Sequence, residues 1–322
     1  MQEKILVMVD FTKEQKSILQ QAAPNAVFEY VLPKEVTRDM VHAADMIVGN
    51  PKPEFLKGAH RLKLLQLQSA GTNQYSRETI PEGCIFACAT GTYGLAISEY
   101  MLACVMQMFN HLEKYHDNQK TGAWKRMGYA KSVYGSTALI VGLGDIGGEF
   151  AKRVKALGGY TIGVRRTDLT RPEYLDEIHL TEELDELIPR ADILALSLPG
   201  TEQTYQIINA HRLSLMKEDA VLVNVGRGTA IDTNALCEVL NAGKLLGAAL
   251  DVTDPEPLPP EHPLWSARGI HITPHISGGG TLPETQNRLA RHCASNIRAF
   301  LEGKPLKSVV DLETGYRKLN NR

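Results

Sequence analysis

The chain has 322 residues, 43% of them hydrophobic, and a formal net charge of −2 at pH 7. That length supports two domains, each with its own core, and dispersed basic residues without a cationic patch exclude a nucleic-acid footprint. The apolar run Ile5 to Val9, preceded by Glu3 and Lys4, is too short for a signal-peptide core, and Met101 to Phe109 is too short to span a bilayer, so the expectation is a soluble, cytoplasmic protein with no membrane partner.

The N-terminal portion alternates short apolar runs with polar helical stretches. Ile5 to Asp10, Val27 to Val31, MIVGN, LKLLQLQ and CIFACA read as strands, a pattern that predicts a parallel sheet covered on both faces. Ile97 to Lys120 then carries Ile97, Met101, Cys104, Val105 and Met108 on one stripe and predicts a long connecting helix. The polar stretch Thr121 to Ser136 leads away from it. Five scattered cysteines, Cys84, Cys88, Cys104, Cys237 and Cys293, read as reduced core thiols, and no ligand spacing points to a metal. His111 and His116 read as surface residues.

Thr137 to Thr167 is the stretch around which the rest is organised. It reads as strand, glycine turn, helix and second strand, one βαβ unit, with Gly142, Gly144 and Gly147 in the spacing G-x-G-x-x-G. The first glycine permits the tight turn, the second lets a diphosphate approach the backbone, and the third lets helix and strand pack closely. Ile146, Phe150, Val154 and Leu157 mark one face of the helix, whose free N-terminal N–H groups suit an anion. A dinucleotide is the implied ligand. Where an NAD-binding unit carries an acidic residue at the end of its second strand, this chain has Arg165, Arg166 and Thr167. A guanidinium there matches a 2′-phosphate, so NADP(H) is expected over NAD(H), with Asp168 reaching back to the ribose as the competing reading.

Four further strands follow, in Asp192 to Leu198, Ala220 to Val225, Leu246 to Val252 and Gly269 to Pro274, six in all with the two already placed. Thr181, ahead of Glu182 and Glu183, reads as a helix start. The last helix, Glu284 to Glu302, has Leu289, Cys293, Ile297 and Phe300 on one face and is expected to return to the first lobe. The expected domains are 1–97 with 285–322, and 98–284.

Ligands in open α/β sheets bind past the carboxyl ends of the strands. Three such ends deliver Arg227, Glu256 and His275. Arg227 can clamp a carboxylate and polarise the adjacent carbonyl; His275 can give or take a proton at the oxygen; Glu256 can fix the imidazole tautomer. Together they are the parts that ketone reduction beside a nicotinamide requires. His271, earlier in its strand, reads as structural, and Tyr93 reads as placed for substrate.

With VGLGDIG at Val141 to Gly147, LSLPGTEQT at Leu196 to Thr204, LVNVGRG at Leu222 to Gly228, ALDVTDPEPLP at Ala249 to Pro259 and HPLWSARGIHITPHISG at His262 to Gly278, the chain resembles the D-isomer-specific 2-hydroxyacid dehydrogenases along nearly its whole length. The resemblance implies two doubly wound parallel-sheet domains, a flavodoxin-like substrate domain and a Rossmann dinucleotide-binding domain. It implies Arg227, Glu256 and His275 as catalytic, and substrate contacts from Ser69, Ala70 and Gly71 together with Tyr93, Arg227 and His275. Cofactor contacts are implied at Gly142, Gly144, Asp145, Ile146, Gly147, Arg165, Arg166, Thr167, Leu198, Pro199, Thr204, Val225, Gly226, Arg227, Asp251, His275 and Gly278. A homodimer is implied as well. Arg165 in place of the usual acid is similar to the NADPH-using glyoxylate, hydroxypyruvate and 2-oxoacid reductases, and a long, serine-regulated phosphoglycerate dehydrogenase is not expected. The contrasting expectation is a dinucleotide-sensing corepressor on the same fold.

Overall fold

The computed structural model describes residues 2–278, 280 and 282–313. The chain divides into two units, Met1–Tyr93 with Gly280–Arg322, and Gly94–Gly279. Both are α/β and each is built on a single parallel sheet.

In the first unit β1 (Lys4–Val7), α1 (Lys13–Ala22), β2 (Val27–Tyr30), α2 (Arg38–Ala43), β3 (Met46–Val48), α3 (Pro53–Leu56), β4 (Leu64–Gln66) and β5 (Ile85–Ala87) follow one another. The sheet order is β2-β1-β3-β4-β5, all parallel, which is the flavodoxin arrangement. Parallel strands are buried on both faces, which is why their sequences are continuous apolar runs and not alternating ones. Leu6, Ile47, Leu65 and Phe86 face one layer with Val41 and Leu56. Ile5, Val7, Met46 and Leu64 face the other, where Leu19 is joined by Leu289, Cys293 and Ile297 of the C-terminal helix Pro283–Leu301. That helix therefore returns to the first unit. α1 opens with a capping box, in which Thr12 Oγ1 accepts from the Gln15 amide and the Gln15 side chain accepts from the Thr12 amide.

The second unit contains α4 (Gly94–Phe109), α5 (Leu112–Lys120), β6 (Thr137–Val141), α6 (Asp145–Ala156), β7 (Tyr160–Arg165), β8 (Glu177–Leu180), α7 (Leu184–Leu187), β9 (Ile193–Leu196), α8 (Ala210–Ser214), β10 (Val221–Asn224), α9 (Thr233–Asn241), β11 (Gly247–Leu250) and β12 (Ile270–Ile272), ahead of the C-terminal helix, α10. Its sheet runs β12-β11-β10-β9-β6-β7-β8 with every pair parallel. The order reverses at β6, beside the glycine turn.

Three sequence expectations change. The sheet has seven strands, not six, because β8 (EIHL) is an edge strand with four half-buried residues and no apolar run to announce it. The helix expected over Ile97 to Lys120 is two helices, broken where His111 takes a left-handed backbone at φ +54°. His111 itself is buried, not on the surface, and its Nε2 contacts the Tyr129 carbonyl at 3.0 Å. His271 is structural as expected: its Nε2 faces the Glu113 carboxylate from β12 to α5. All five cysteines are free, and four are buried. Among the described residues no helix is long and apolar enough to cross a membrane.

One buried carboxylate ties β1 and β4 to the start of β3. Burial alone would raise the Asp45 carboxyl, but hydrogen bonds from Arg61, the Lys4 amide and Lys63 outweigh it and hold the group at about 2. A carboxyl depressed on folding stabilises above its ordinary range and loses that contribution as pH falls through the folded value. Asp45→Asn is therefore expected to melt below wild type at pH 7, and the gap should close as pH falls from about 4 toward 2. A gap constant across that window in calorimetric melts would rule out the ionised form as the stabilising one.

Candidate active site

The glycine turn between β6 and α6 is closed by contacts that leave no room for side chains. Gly142 has φ +97°, and a Cβ on Gly147 would lie 1.9 Å from the Gly142 carbonyl oxygen. The same carbonyl accepts the Ser197 hydroxyl at 2.8 Å, which links the turn to the end of β9. Gly144 differs: a Cβ there meets nothing within 4 Å, and the residue is exposed. The turn thus keeps one open position at the N-terminus of a twelve-residue helix, where a diphosphate fits the free amides and the dipole. These residues suit a dinucleotide. The Asp145 carboxylate is directed elsewhere, accepting the Gly94 amide at 2.7 Å at the start of α4.

Around the turn, the other residues expected to face a cofactor lie at the ends of neighbouring strands. Thr204, buried, donates its hydroxyl to the Pro199 carbonyl at 2.7 Å and so closes the loop that carries Leu198 and Pro199 past β9. Val225 and Gly226 follow β10. At the end of β7, Arg165 Nη1 donates to Asp168 Oδ2 at 2.9 Å, and Thr181 donates to the Arg165 carbonyl at 3.3 Å. Arg166 and Thr167 are exposed beside them. The Thr170 amide, and then Arg165, hold the Asp168 carboxyl below its ordinary range. Guanidinium and carboxylate are thus both present at this strand end, paired to each other.

Arg227, Glu256 and His275 come together. His275 Nδ1 and Glu256 Oε1 are 2.6 Å apart. Burial lowers the Arg227 pKa, and the charge of the nearby Glu256 opposes that shift. The Arg227 turn is pressed onto the loop before Glu256, since a Cβ on Gly228 would lie 2.0 Å from the Thr253 carbonyl carbon. Asn224 supports the turn from within, its Nδ2 donating to the Arg227 carbonyl and its Oδ1 accepting the Gly226 amide. Arg227 Nη1 also donates to the Gly226 carbonyl at 2.6 Å. His275 sits at φ +54°, and Gly278, three residues on, is half-buried.

In the first unit the loop Ser69, Ala70, Gly71 follows β4 and is braced by Asn50, which sequence reasoning did not single out, and by Tyr93, which it did. Asn50, just past β3, donates to Ser69 Oγ at 2.9 Å and accepts the Gln68 amide at 3.0 Å. The Tyr93 hydroxyl donates to the Gln68 carbonyl, so its polar end serves this loop. Gly49, the residue before Asn50, takes φ +135°, which turns the chain at the end of β3.

Residues 102–277 match the family described as D-isomer specific 2-hydroxyacid dehydrogenase, NAD binding domain. A glyoxylate reductase of Thermofilum pendens is 30% identical over 269 residues, covering 81% of this chain and 78% of that protein. Among solved structures, a D-isomer specific 2-hydroxyacid dehydrogenase family protein of Aeromonas salmonicida superposes with a TM-score of 0.85 at 27% identity, over 97% of this chain and all of that one. A D-isomer specific 2-hydroxyacid dehydrogenase of Xanthobacter autotrophicus in complex with NADPH and MES gives 0.82 at 25% identity, over 98% of this chain and all of that one. The chain belongs to the D-isomer specific 2-hydroxyacid dehydrogenase family. It is an oxidoreductase, with its NAD-binding domain in the second unit.

Gly144 offers a direct test of the turn, because its φ of −73° admits any residue and its missing side chain faces open space. Gly144→Val is expected to leave thermal stability near wild type while weakening coenzyme binding by about tenfold or more. Unchanged affinity in a fluorescence titration would mean that the diphosphate does not lie there.

Proposed function

We propose that the protein reduces small 2-oxoacids to D-2-hydroxyacids, with NADP(H) as its preferred coenzyme. The observation that carries this reading is the 2.6 Å contact between His275 Nδ1 and Glu256 Oε1 beside a partly buried Arg227. A bound nicotinamide coenzyme supplies the hydride. Glu256 accepts from Nδ1–H, which leaves Nε2 as the nitrogen that delivers a proton to the carbonyl oxygen, or takes it back in the reverse direction. Arg227 stays cationic despite its burial and binds the carboxylate of the acid, aligning the adjacent carbonyl. The backbone of Ser69 to Gly71 is a second proposed source of donors.

The coenzyme preference rests on Arg165, a guanidinium at the end of β7 that can exchange Asp168 for a 2′-phosphate. The NADPH bound in the Xanthobacter autotrophicus relative agrees with it. A panel of acids from glyoxylate to phenylpyruvate, run with NADPH and with NADH, is expected to give turnover on the smaller acids and a higher kcat/KM for NADPH. His275→Ala should lower kcat by about 10² or more. A tenfold preference for NADH defeats the phosphate reading; coenzyme binding without turnover of any acid favours the sensor.

The working state is proposed to be a homodimer. Trp124, Tyr129 and Tyr134 are 105%, 96% and 78% exposed along the segment after α5, more aromatic surface than a monomer ordinarily leaves in water. Beside them Phe109, Lys131, Tyr134 and Leu157 line a groove of about 510 Å³ that shares no residue with the Arg227, Glu256 and His275 group. Sedimentation velocity should give twice the chain mass; a monomer at micromolar concentration would remove the proposal.

A further inference from the structure

We propose that Tyr100 and Thr273 are positioning residues for the acid–base side chain, a pair of hydroxyls that sets the backbone turn carrying His275. The inference rests on the reading of His275 as the proton donor.

The turn is held by Asp251, with the Thr273 carbonyl sharing the His275 amide at 3.0 Å. The successive amides of His275, Ile276 and Ser277 donate to the Asp251 carbonyl oxygen at 2.9 Å, to Asp251 Oδ1 at 2.8 Å and to Asp251 Oδ2 at 2.9 Å. Asp251 is 1% exposed, so water does not compete for these contacts. They are needed, because His275 has the left-handed φ of +54°, which a residue with a side chain adopts only where its surroundings require it.

Asp251 is oriented in turn. Thr273 Oγ1 donates to Asp251 Oδ1 at 2.6 Å and lies 2.7 Å from the Tyr100 hydroxyl. A threonine hydroxyl has one proton, and Thr273 spends it on the carboxylate, so Tyr100 is the donor in the second contact. Tyr100 stands on α4, a sixteen-residue helix anchored by the buried Met101, Val105 and Met108. The chain of contacts therefore runs from α4 through a phenol, a hydroxyl and a buried carboxylate to the two amides, of Ile276 and Ser277, that fix the turn behind the imidazole. Removing the Thr273 hydroxyl leaves Asp251 Oδ1 short of a donor where no water replaces it. The carboxylate then turns, the Ile276 and Ser277 amides lose their acceptor, the turn shifts, and Nδ1 moves away from Glu256. Proton delivery depends on donor–acceptor geometry, so the loss falls on the chemical step and not on coenzyme binding.

The test uses the full-length protein with Thr273→Val, Tyr100→Phe and Thr273→Ser. We expect Thr273→Val to lower kcat by about tenfold and Tyr100→Phe by about threefold. Both should raise the solvent isotope effect on kcat with NADPH affinity near wild type, and Thr273→Ser should restore kcat. Wild-type kcat and isotope effect in both variants, or a loss confined to KM or to coenzyme affinity, overturns the proposal. Thermal melts show that the variants fold, and Tyr100→Phe, which removes one oxygen, stands in if Thr273→Val does not. A wild-type protein that turns over no acid means the functional reading has failed. The ring ¹⁵N resonances of His275 then decide the positioning claim without turnover: loss of the Nδ1 hydrogen-bonded signature in the variants supports it, and a wild-type spectrum overturns it.

Discussion

The nucleotide-binding unit depends on backbone lying against backbone where no side chain fits. Gly147 packs on the Gly142 carbonyl, and Gly228 on the backbone of Thr253. The first contact brings the N-terminus of α6 over the strand ends; the second brings the Arg227 turn against the loop that leads to Glu256. A single methyl group at either place would separate elements whose function depends on their spacing. The sheet beneath supplies rigidity, since its strands β9, β10 and β11 are buried at every residue and pair in register over four residues each.

Two carboxylates past the same strand have opposite environments and opposite uses. Asp251 is sealed from water and accepts from the amides that follow His275, so it shapes backbone. Glu256, five residues on, is exposed and meets the imidazole nitrogen of that histidine. Sequence motif alone does not separate them, because both belong to one acidic, proline-rich run. Burial separates them, and burial follows from which residue still lies within the sheet layer when β11 ends.

Much of this was legible in the chain because parallel sheets write themselves plainly. A strand buried on both faces has to be a run of apolar residues, and a site at the strand ends has to lie just past such a run, which is where Arg227 and His275 stand. What escaped notice lacks either signature. β8 is half-buried throughout and has no apolar run. The break at His111 depends on one backbone angle at a residue type that does not demand it. Tyr100 and Thr273 are 173 positions apart and meet through hydroxyls, so no periodicity records their pairing. Asn50 is hidden for the same reason, a polar residue after a glycine whose partner, Ser69, arrives from the next strand.

The first unit is made of two stretches of chain separated by the whole of the second, and that arrangement orders its assembly during synthesis. While residues 1–93 emerge, the sheet face bearing Ile5, Val7, Met46 and Leu64 has no cover from Leu289, Cys293 and Ile297, which are made only after the whole of the second unit. The second unit has no such wait, since every strand it needs lies within one continuous segment. A ribosome making this protein therefore completes the coenzyme lobe before the first unit, whose earlier stretch must stay open, and shielded from other chains, until the C-terminal helix has followed the second unit.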